Sequence, residues 1–393
     1  MKTILLTLFA LTGASVHLED GSVLRDATVL IENQRIVAVG TDVKLPPGTR
    51  KIDASGKTIT AGFIDPATTL GLVEISGVAK SNDIDSGGDA VRSAQRADES
   101  YNPHSIVIPI QRAHGVTTVH TAHHGGLLSG SGAVYDLANP DPVRAPASMN
   151  ASIGGQKESS RGTHIMMLRQ ALDDAETYSR RTADFERNRV RQFSASRLDL
   201  EALQPVLRGE VPLHVHVNRR SDIRTMLKIA SSYGIRLVIV GGAEAWQEAQ
   251  ALAEAKVPVI LNPIENQPAS FDAIHSRGDA AAILTNAGVK VAISTFSAHD
   301  VRKLRQWAGN AVRAGLTHAQ ALHAITTHPA DILGLPDHGR VKSGAVANLV
   351  VWSGDPFEAS SKVELLLIRG SVTSLDHRQH RLFQRYRTLP VQR

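Results

Sequence analysis

The chain contains no cysteine. Disulfides, thiolate metal sites and cysteine nucleophiles are therefore excluded, and the absence suits an exported protein as well as a cytoplasmic one. Aromatic residues are 4% of the chain, and no basic stretch interleaves with them as a nucleic-acid module would. The net charge of +5 can steer anions without implying nucleic acid. After the first residues no segment approaches the ~18 apolar residues of a membrane span. There is no fixed-period repeat, no low-complexity segment and no Gly-x-Ser-x-Gly elbow, and the SGSG at 129–132 lacks the strand-to-helix setting that activates a serine.

What remains is ample material for a globular fold. At 393 residues and 42% hydrophobic content the chain can fill one large α/β domain with a small companion. Residues 1–14, MKTILLTLFALTGA, read either as a bacterial signal peptide or as a first strand continuing through Val16 and Leu18 to the turn at Glu19-Asp20-Gly21. The first reading makes the protein periplasmic or secreted, the second leaves it cytoplasmic. At the other end the basic tail HRQHRLFQRYR (377–387) reads as a solvated tail, with an acidic partner or a membrane surface as its alternative contacts.

Apolar, strand-like runs alternate with helical stretches through the middle of the chain, which predicts repeated βα units. Seven candidate strands lie at 59–65, 115–122, 147–153, 212–217, 235–241, 257–262 and 289–295, with the eighth unplaced. The helical stretches 222–234 and 243–256 carry apolar residues at i, i+3 and i+4. A (β/α)8 TIM-like barrel is the economical α/β solution. Residues 163–210 are long, charged and helical, which predicts a solvated helical insertion or a lid. Both chain ends, by contrast, consist of short β-branched runs, with the junction between ATVLI and RIVAV at Glu32-Asn33-Gln34.

The stretch TITAGFIDPATTLGLVEI (58–75) organises the rest. It reads as one buried strand that stops at Pro66 and opens into a mouth loop. Its Gly-Phe-Ile-Asp strongly resembles the first barrel strand of the amidohydrolase superfamily, and GNAVRAGLTHAQALHAITTHPADILGL (309–335) resembles that family's closing helices. The resemblance implies a barrel over 63–334, a composite β-sandwich from 1–62 and 335–393, and hydrolysis of amide C–N bonds in imidazolone-like or dipeptide-like substrates by a metal-activated water. It also implies that Asp65 is structural, accepting backbone hydrogen bonds. Asn348 stands where the family carries an aspartate, a change expected to alter only a local turn.

The same resemblance predicts metal ligands that this chain lacks. Ala67 and Thr69 replace the His-x-His pair, Gly241 and Gly242 occupy the strand 6 histidine position, and Phe296 takes the place of the aspartate that handles the water proton. A methyl group and a phenyl ring neither coordinate a metal nor accept a proton. Only His216, with His214 two residues before it, matches a ligand position, on strand 5. No cofactor is therefore expected at the usual positions. The candidate pocket residues are His120, His124, Lys157, Glu158, Arg161, His216 and Arg219. His120, His123 and His124 read as loop or polar-pocket histidines, and a single zinc or other divalent metal held by His120, His124 and His216 is the alternative. Gly125, Gly126, Gly130 and Gly132 read as a structural mouth loop, or as backbone N–H groups for an anion. Lys157 or Glu158 could fill the family's bridging role, or with Arg161 form ion pairs or line the pocket, and Arg219 and Arg220 read as surface arginines or as bidentate partners of a carboxylate.

Three functional readings follow. The first is a degenerate amidohydrolase-like barrel that binds a small ligand, anions included, with little or no hydrolysis. The second is a hydrolase with one unconventional metal around His216. The third is a structural or interaction protein that uses the 163–210 insertion or the basic tail, and a homo-oligomer fits any of the three.

Overall fold

The computed structural model describes residues 8–85, 87–154, 160–187, 189, 191–265 and 267–388. The first five strands are β1 (Leu8–His17), β2 (Val23–Glu32), β3 (Arg35–Gly40), β4 (Arg50–Asp53) and β5 (Thr58–Ala61). Then come β6 (Phe63–Thr68), β7 (Val116–Thr121), β8 (Leu128–Asp136), β9 (Arg144–Ser152), β10 (Leu213–Val217), β11 (Leu237–Gly241), β12 (Val259–Leu261) and β13 (Val291–Ile293). The C-terminal strands are β14 (Leu349–Trp352), β15 (Val363–Ile368) and β16 (Ser371–Val372).

Strands β6 to β13 form one eight-stranded, nearly closed barrel sheet in sequence order. Seven of them fall on the predicted apolar runs. The eighth is β8, which runs antiparallel to both β7 and β9. Its sequence, LSGSGAVYD, contributes to the stretch read above as a glycine-rich mouth loop, yet all nine residues are buried. The small residues record close approach rather than a turn. A Cβ on Gly130 would meet the Gln95 carbonyl oxygen at 2.2 Å, and one on Gly132 would meet His120 Nε2 at 2.2 Å. A β-ribbon thus replaces the helical crossover that a regular βα unit would place here.

The stretch 58–75 is two strands rather than one. β5 belongs to the small sheet and β6 to the barrel, and Gly62 separates them where Thr117 leaves no room for a Cβ. Pro66 does not end β6. The strand passes through it with a register irregularity between Asp65 and Thr68, the kind of bulged position where a missing donor is tolerated.

No ladder joins β6 to β13, the two ends of the barrel sheet. The seam closes in another way. Ile64 N–H donates to the Ile325 carbonyl (2.8 Å) and Ile293 N–H to the Ala324 carbonyl (2.9 Å), so one segment serves both strands. Above it, fully buried Asp65 accepts from the Ser294 hydroxyl, from the Thr295 hydroxyl at 2.6 Å and from Thr295 N–H at 3.2 Å. Burial pushes the Asp65 carboxyl up to about 6 against those bonds. The backbone donors expected are there, Thr295 N–H and Ala67 N–H (3.4 Å), and the two hydroxyls are added to them.

Both chain ends build the second sheet, ordered β16-β15-β14-β5-β1-β2-β3 with β4 also on β1. Its strands are connected through β1, which pairs β4 along its first half and β5 along its second, and they enclose a core of their own, the composite β-rich part expected from the two chain ends. Leu8–Ala14 belong to β1, its central strand, with Leu11 and Ala14 fully buried; residues 1–7 lie outside the described residues. β2 and β3 turn at Asn33, in the left-handed region at φ 57°, as the sequence suggests.

The two sheets are pinned through buried Asp136. It accepts from Thr118 Oγ1 (2.8 Å), Asn348 Nδ2 (2.8 Å) and Arg369 (3.2 Å), and meets His338 Nε2 at 3.4 Å. Asn348 is therefore more than a local turn residue. An aspartate there would set a second carboxylate against Asp136 with no donor between them. Burial opposes charge on His338, yet its contacts with Asp136 and Asp337 hold the imidazole above its ordinary value. Burial likewise works to raise Asp136, and the bonds and charge of His338 bring it below the usual carboxylate range.

Residues 163–210 are helical but not a solvated insertion. Leu168, Leu172 and Tyr178 of the helix Arg161–Arg180, and Leu200, Leu203 and Val206 of the helix Arg197–Leu207, are buried in the main core.

Two predictions follow from the seam and the pin. Asp65→Ala leaves the Thr295 hydroxyl and N–H without their acceptor, while the Ser294 hydroxyl keeps the Ala67 carbonyl at 2.8 Å, and should lower stability by about 2 kcal/mol in denaturant titration, with Asp65→Asn less costly. His338 gains a proton more readily folded than unfolded, so its contribution is complete below pH ~6.5 and is lost as pH rises through the raised folded value. The deficit of His338→Gln, about 2 kcal/mol at pH 6, should therefore shrink towards pH 8 in thermal melts; a pH-independent deficit would show an uncharged ring.

Candidate functional site

The strands of the barrel deliver two kinds of lining to its interior. On β11 to β13, Val238, Val240, Ile260 and Ala292 point inward with Ile332, and Ala67 and Phe296 pack against them. On β7, β9 and β10 the inward positions are His120, Ser148, Asn150, Ser152, His214 and His216. The alternation on β10 shows why: Leu213, Val215 and Val217 join the outer core while the histidines between them face in.

The two linings meet at the mouth in a cavity of ≈ 220 Å³, bounded by Ala67, His120, His124, Asn150, His216 and Phe296 among others. Larger clefts exist, one of ≈ 550 Å³ at the opposite strand ends around Val257 and Val289 and one of ≈ 510 Å³ between outer helices. Neither is lined by histidine, whereas the mouth cavity gathers ring nitrogens without partners. Among the described residues, His120 Nδ1, His123 Nδ1 and His214 Nε2 are buried and unpaired. His120 Nδ1 lies beside the Pro66 carbonyl but outside hydrogen-bond geometry.

A short chain fixes His120. Its Nε2 meets Ser148 Oγ at 2.7 Å, Ser148 Oγ meets Asn150 Oδ1 at 3.2 Å, and Asn150 Nδ2 donates to the Gly130 carbonyl at 3.0 Å. Ser148 has one proton and gives it to Asn150. The imidazole must then donate through Nε2, which leaves Nδ1 as an acceptor. The rings of His120 and His214 lie 5.3 Å apart, and His216 stands edge-on to Phe296 at 6.1 Å.

Burial depresses every one of these imidazoles. His120 and His216 are lowered to about 4, and His214 falls well below its ordinary value. Burial also lowers His123 and His124, with Asp83 and Asp85 respectively opposing it. At neutral pH the described lining of the cavity is thus polar but uncharged, with no carboxylate and no cationic side chain among the described residues that bound it.

Of the residues singled out in the sequence, His120, His124 and His216 meet in the cavity. Arg161 does not line it: the guanidinium pairs with Asp222 at 3.0 Å and with Asp272. Arg219 is exposed at the start of the helix Arg220–Tyr233, also off the lining. Lys157 and Glu158 lie outside the described residues. Ser148, Asn150 and Ser152 were missed, although their i, i+2, i+4 spacing on β9 is a two-residue period that would have marked one inward face.

The divalent metal implied by the family does not fit these residues. Ala67 and Phe296 sit in the apolar cluster. Gly241 has φ 86°, and a Cβ there would lie 2.6 Å from Asn218 Oδ1, so a side chain at this position would be strained and would have to displace the Asn218 amide. Among the described residues no three His, Asp or Glu side chains converge in metal-binding geometry.

The architecture is that of a barrel whose mouth holds the site and whose two chain ends share a second β-rich part. An amidohydrolase family model matches residues 214–373. The amidohydrolase tasK of Hapsidospora irregularis is 27% identical over 383 residues, covering 82% of this chain, which spans only 38% of that relative's length. An amidohydrolase from Thermotoga maritima has the same fold at TM-score 0.85 and 27% identity, over 93% of this chain and 99% of that one. A prolidase complexed with N-methylphosphonate-L-proline shares the fold at TM-score 0.58 and 17% identity, over 93% of this chain and 99% of its own. The chain is thus similar to amidohydrolases in fold over nearly its whole length and in sequence most clearly over residues 214–373.

Acid should expose the cost of these neutral histidines. The unfolded ring protonates near pH 6.5 and buried His120 only near 4, so stability falls as pH drops through that interval, by roughly 3 kcal/mol for this ring alone. His120→Gln should flatten the decline between pH 6.5 and 4.5 in thermal melts. An unchanged slope would mean that the ring is already protonated or solvated in the folded protein.

Proposed function

We propose that this protein is a degenerate amidohydrolase-like barrel that binds a small, uncharged, hydrogen-bonding molecule in its mouth cavity, with little or no metal-dependent C–N hydrolysis. The observation that carries the reading is the apolar packing of Ala67 and Phe296 where a water-activating site needs imidazole and carboxylate. Among the described lining residues none offers a carboxylate base or completes a three-ligand metal set, so the cavity is suited to positioning a ligand rather than to activating water.

The chemistry of the ligand follows from the lining. Neutral imidazoles and amides exchange hydrogen bonds without compensating a charge, and a buried anion would have to leave water for a site with no cation. The unpaired ring nitrogens favour a ligand that brings donors and acceptors of its own. At ≈ 220 Å³ the cavity is smaller than the ~300–1,000 Å³ of ordinary small-molecule sites. Val240 and Phe296 give such a ligand one apolar wall.

The test is metal content by inductively coupled plasma mass spectrometry, on protein purified without a histidine tag or chelator, paired with thermal shifts. A value near zero in a cooperatively folded protein is expected, together with a rise in melting temperature with 2-pyrrolidinone that pyroglutamate does not reproduce. His216→Ala should reduce that rise severalfold. About one metal ion per chain, lost in His216→Ala, would replace this reading with that of a single-metal hydrolase.

A further inference from the structure

We propose that the C-terminal helix Arg378–Tyr386 is an interfacial anchor that docks the protein on an anionic lipid surface. Every residue from Arg378 to Arg387 is exposed, and the helix buries none of its own side chains. A helix in a folded domain ordinarily earns its stability by burying one face. This one keeps its apolar face in water: Leu382, Phe383 and Tyr386 are 41%, 62% and 64% exposed.

The pattern around the helix is that of a surface-seeking element. At about 100° per residue, Leu382, Tyr386 and Phe383 form one stripe roughly 100° wide. Arg378, Arg381 and Arg385 border it on one side, and His380 and Arg387 on the other. Asp376, just before the helix, meets Arg381 at 3.5 Å. Arginines beside an apolar stripe can lay their stems along it and lift their guanidinium groups to phosphate level, while the three side chains enter the acyl boundary. A polyanion such as nucleic acid would use the arginines but leave the stripe in water.

The helix is also held at a definite place. Leu375 packs against the main core, and the His377 ring lies 6.5 Å from that of His114. His114 immediately precedes β7, so the helix sits at the N-terminal end of the barrel strands, opposite the histidine cavity. Docking there would leave the mouth open to water.

The experiment is co-sedimentation of the full chain with vesicles of phosphatidylcholine alone and of phosphatidylcholine with an equal part of phosphatidylglycerol. Binding to the anionic vesicles alone is expected, and it should fall steeply as salt is raised to about 0.5 M. Phe383→Ser with Tyr386→Ser, and separately Arg381→Glu with Arg385→Glu, should each weaken binding about tenfold. Both pairs lie on exposed positions, and unchanged circular dichroism and melting would show that the fold persists. No sedimentation with anionic vesicles at low salt would overturn the proposal. So would binding that ignores the Phe383 and Tyr386 changes and is matched by a DNA duplex, which would mark a general polyanion site.

Discussion

Between β6 and β13 the barrel has no backbone ladder, and the carboxylate of Asp65 supplies much of what a ladder would. It gathers two hydroxyls and a backbone N–H from the chain just beyond β13, directly beneath the mouth. The remaining closure comes from one backbone segment, Ala324-Ile325, that bonds to both strands. A bound metal held by several strand ends would cross-link this same region. Here the cross-link is made of hydrogen bonds one layer lower, and the layer above is free to become apolar. Phe296 shows the consequence. It follows Ser294 and Thr295 at φ 52°, an uncommon conformation for a bulky residue, and its ring lies against the interior valines and the edge of His216.

That arrangement determines the electrostatics of the cavity. In a site with carboxylates or a metal, imidazoles are held in defined charge states by neighbours of opposite sign. With no carboxylate among the described lining residues, desolvation dominates, and the rings of His120, His214 and His216 stay neutral well below pH 7. Gly241 reinforces the outcome from a different direction. Its left-handed backbone and the Asn218 oxygen beside it mean that a histidine there would be strained and would have to displace the Asn218 amide.

Much of the fold was legible because periodic apolar runs report burial directly. Seven barrel strands and the strand-like chain ends followed from that pattern and from the family resemblance of residues 58–75 and 309–335. The failures share a physical origin. In β8 the glycines and serines mimic turn chemistry, but they are small because the His120 ring and the Gln95 backbone press against them. In 58–75 one continuous apolar run conceals a change of sheet at Gly62. In 163–210 the abundant charges hide the buried stripe of Leu168, Leu172 and Tyr178, since charge on one helix face says little about the other. For the site, His120, His124 and His216 could be named as chemistry without geometry. Arg161 could not be separated from them until its carboxylate partners, distant in sequence, were in view.

The pin at Asp136 ties the chain ends to the barrel from the side away from the mouth. Asp136 ends β8, the strand that departs from regular βα order, and it is buried away from the mouth. A lone carboxylate in that position would be costly, yet it is met by Thr118 from the barrel and by Asn348, Arg369 and His338 from the segments after it. The amide at 348 is the compatible choice, since it donates to Asp136 while its own oxygen accepts from Arg369 N–H at 2.7 Å. Trp352, four residues on, fills the space over Gly115, donates to Thr60 and stacks on Phe63 at 5.1 Å. The sheet built from both chain ends therefore closes the end of the barrel opposite the cavity. Because those contacts are independent of the mouth lining, the histidine and apolar halves of the mouth could diverge without loosening the fold that presents them.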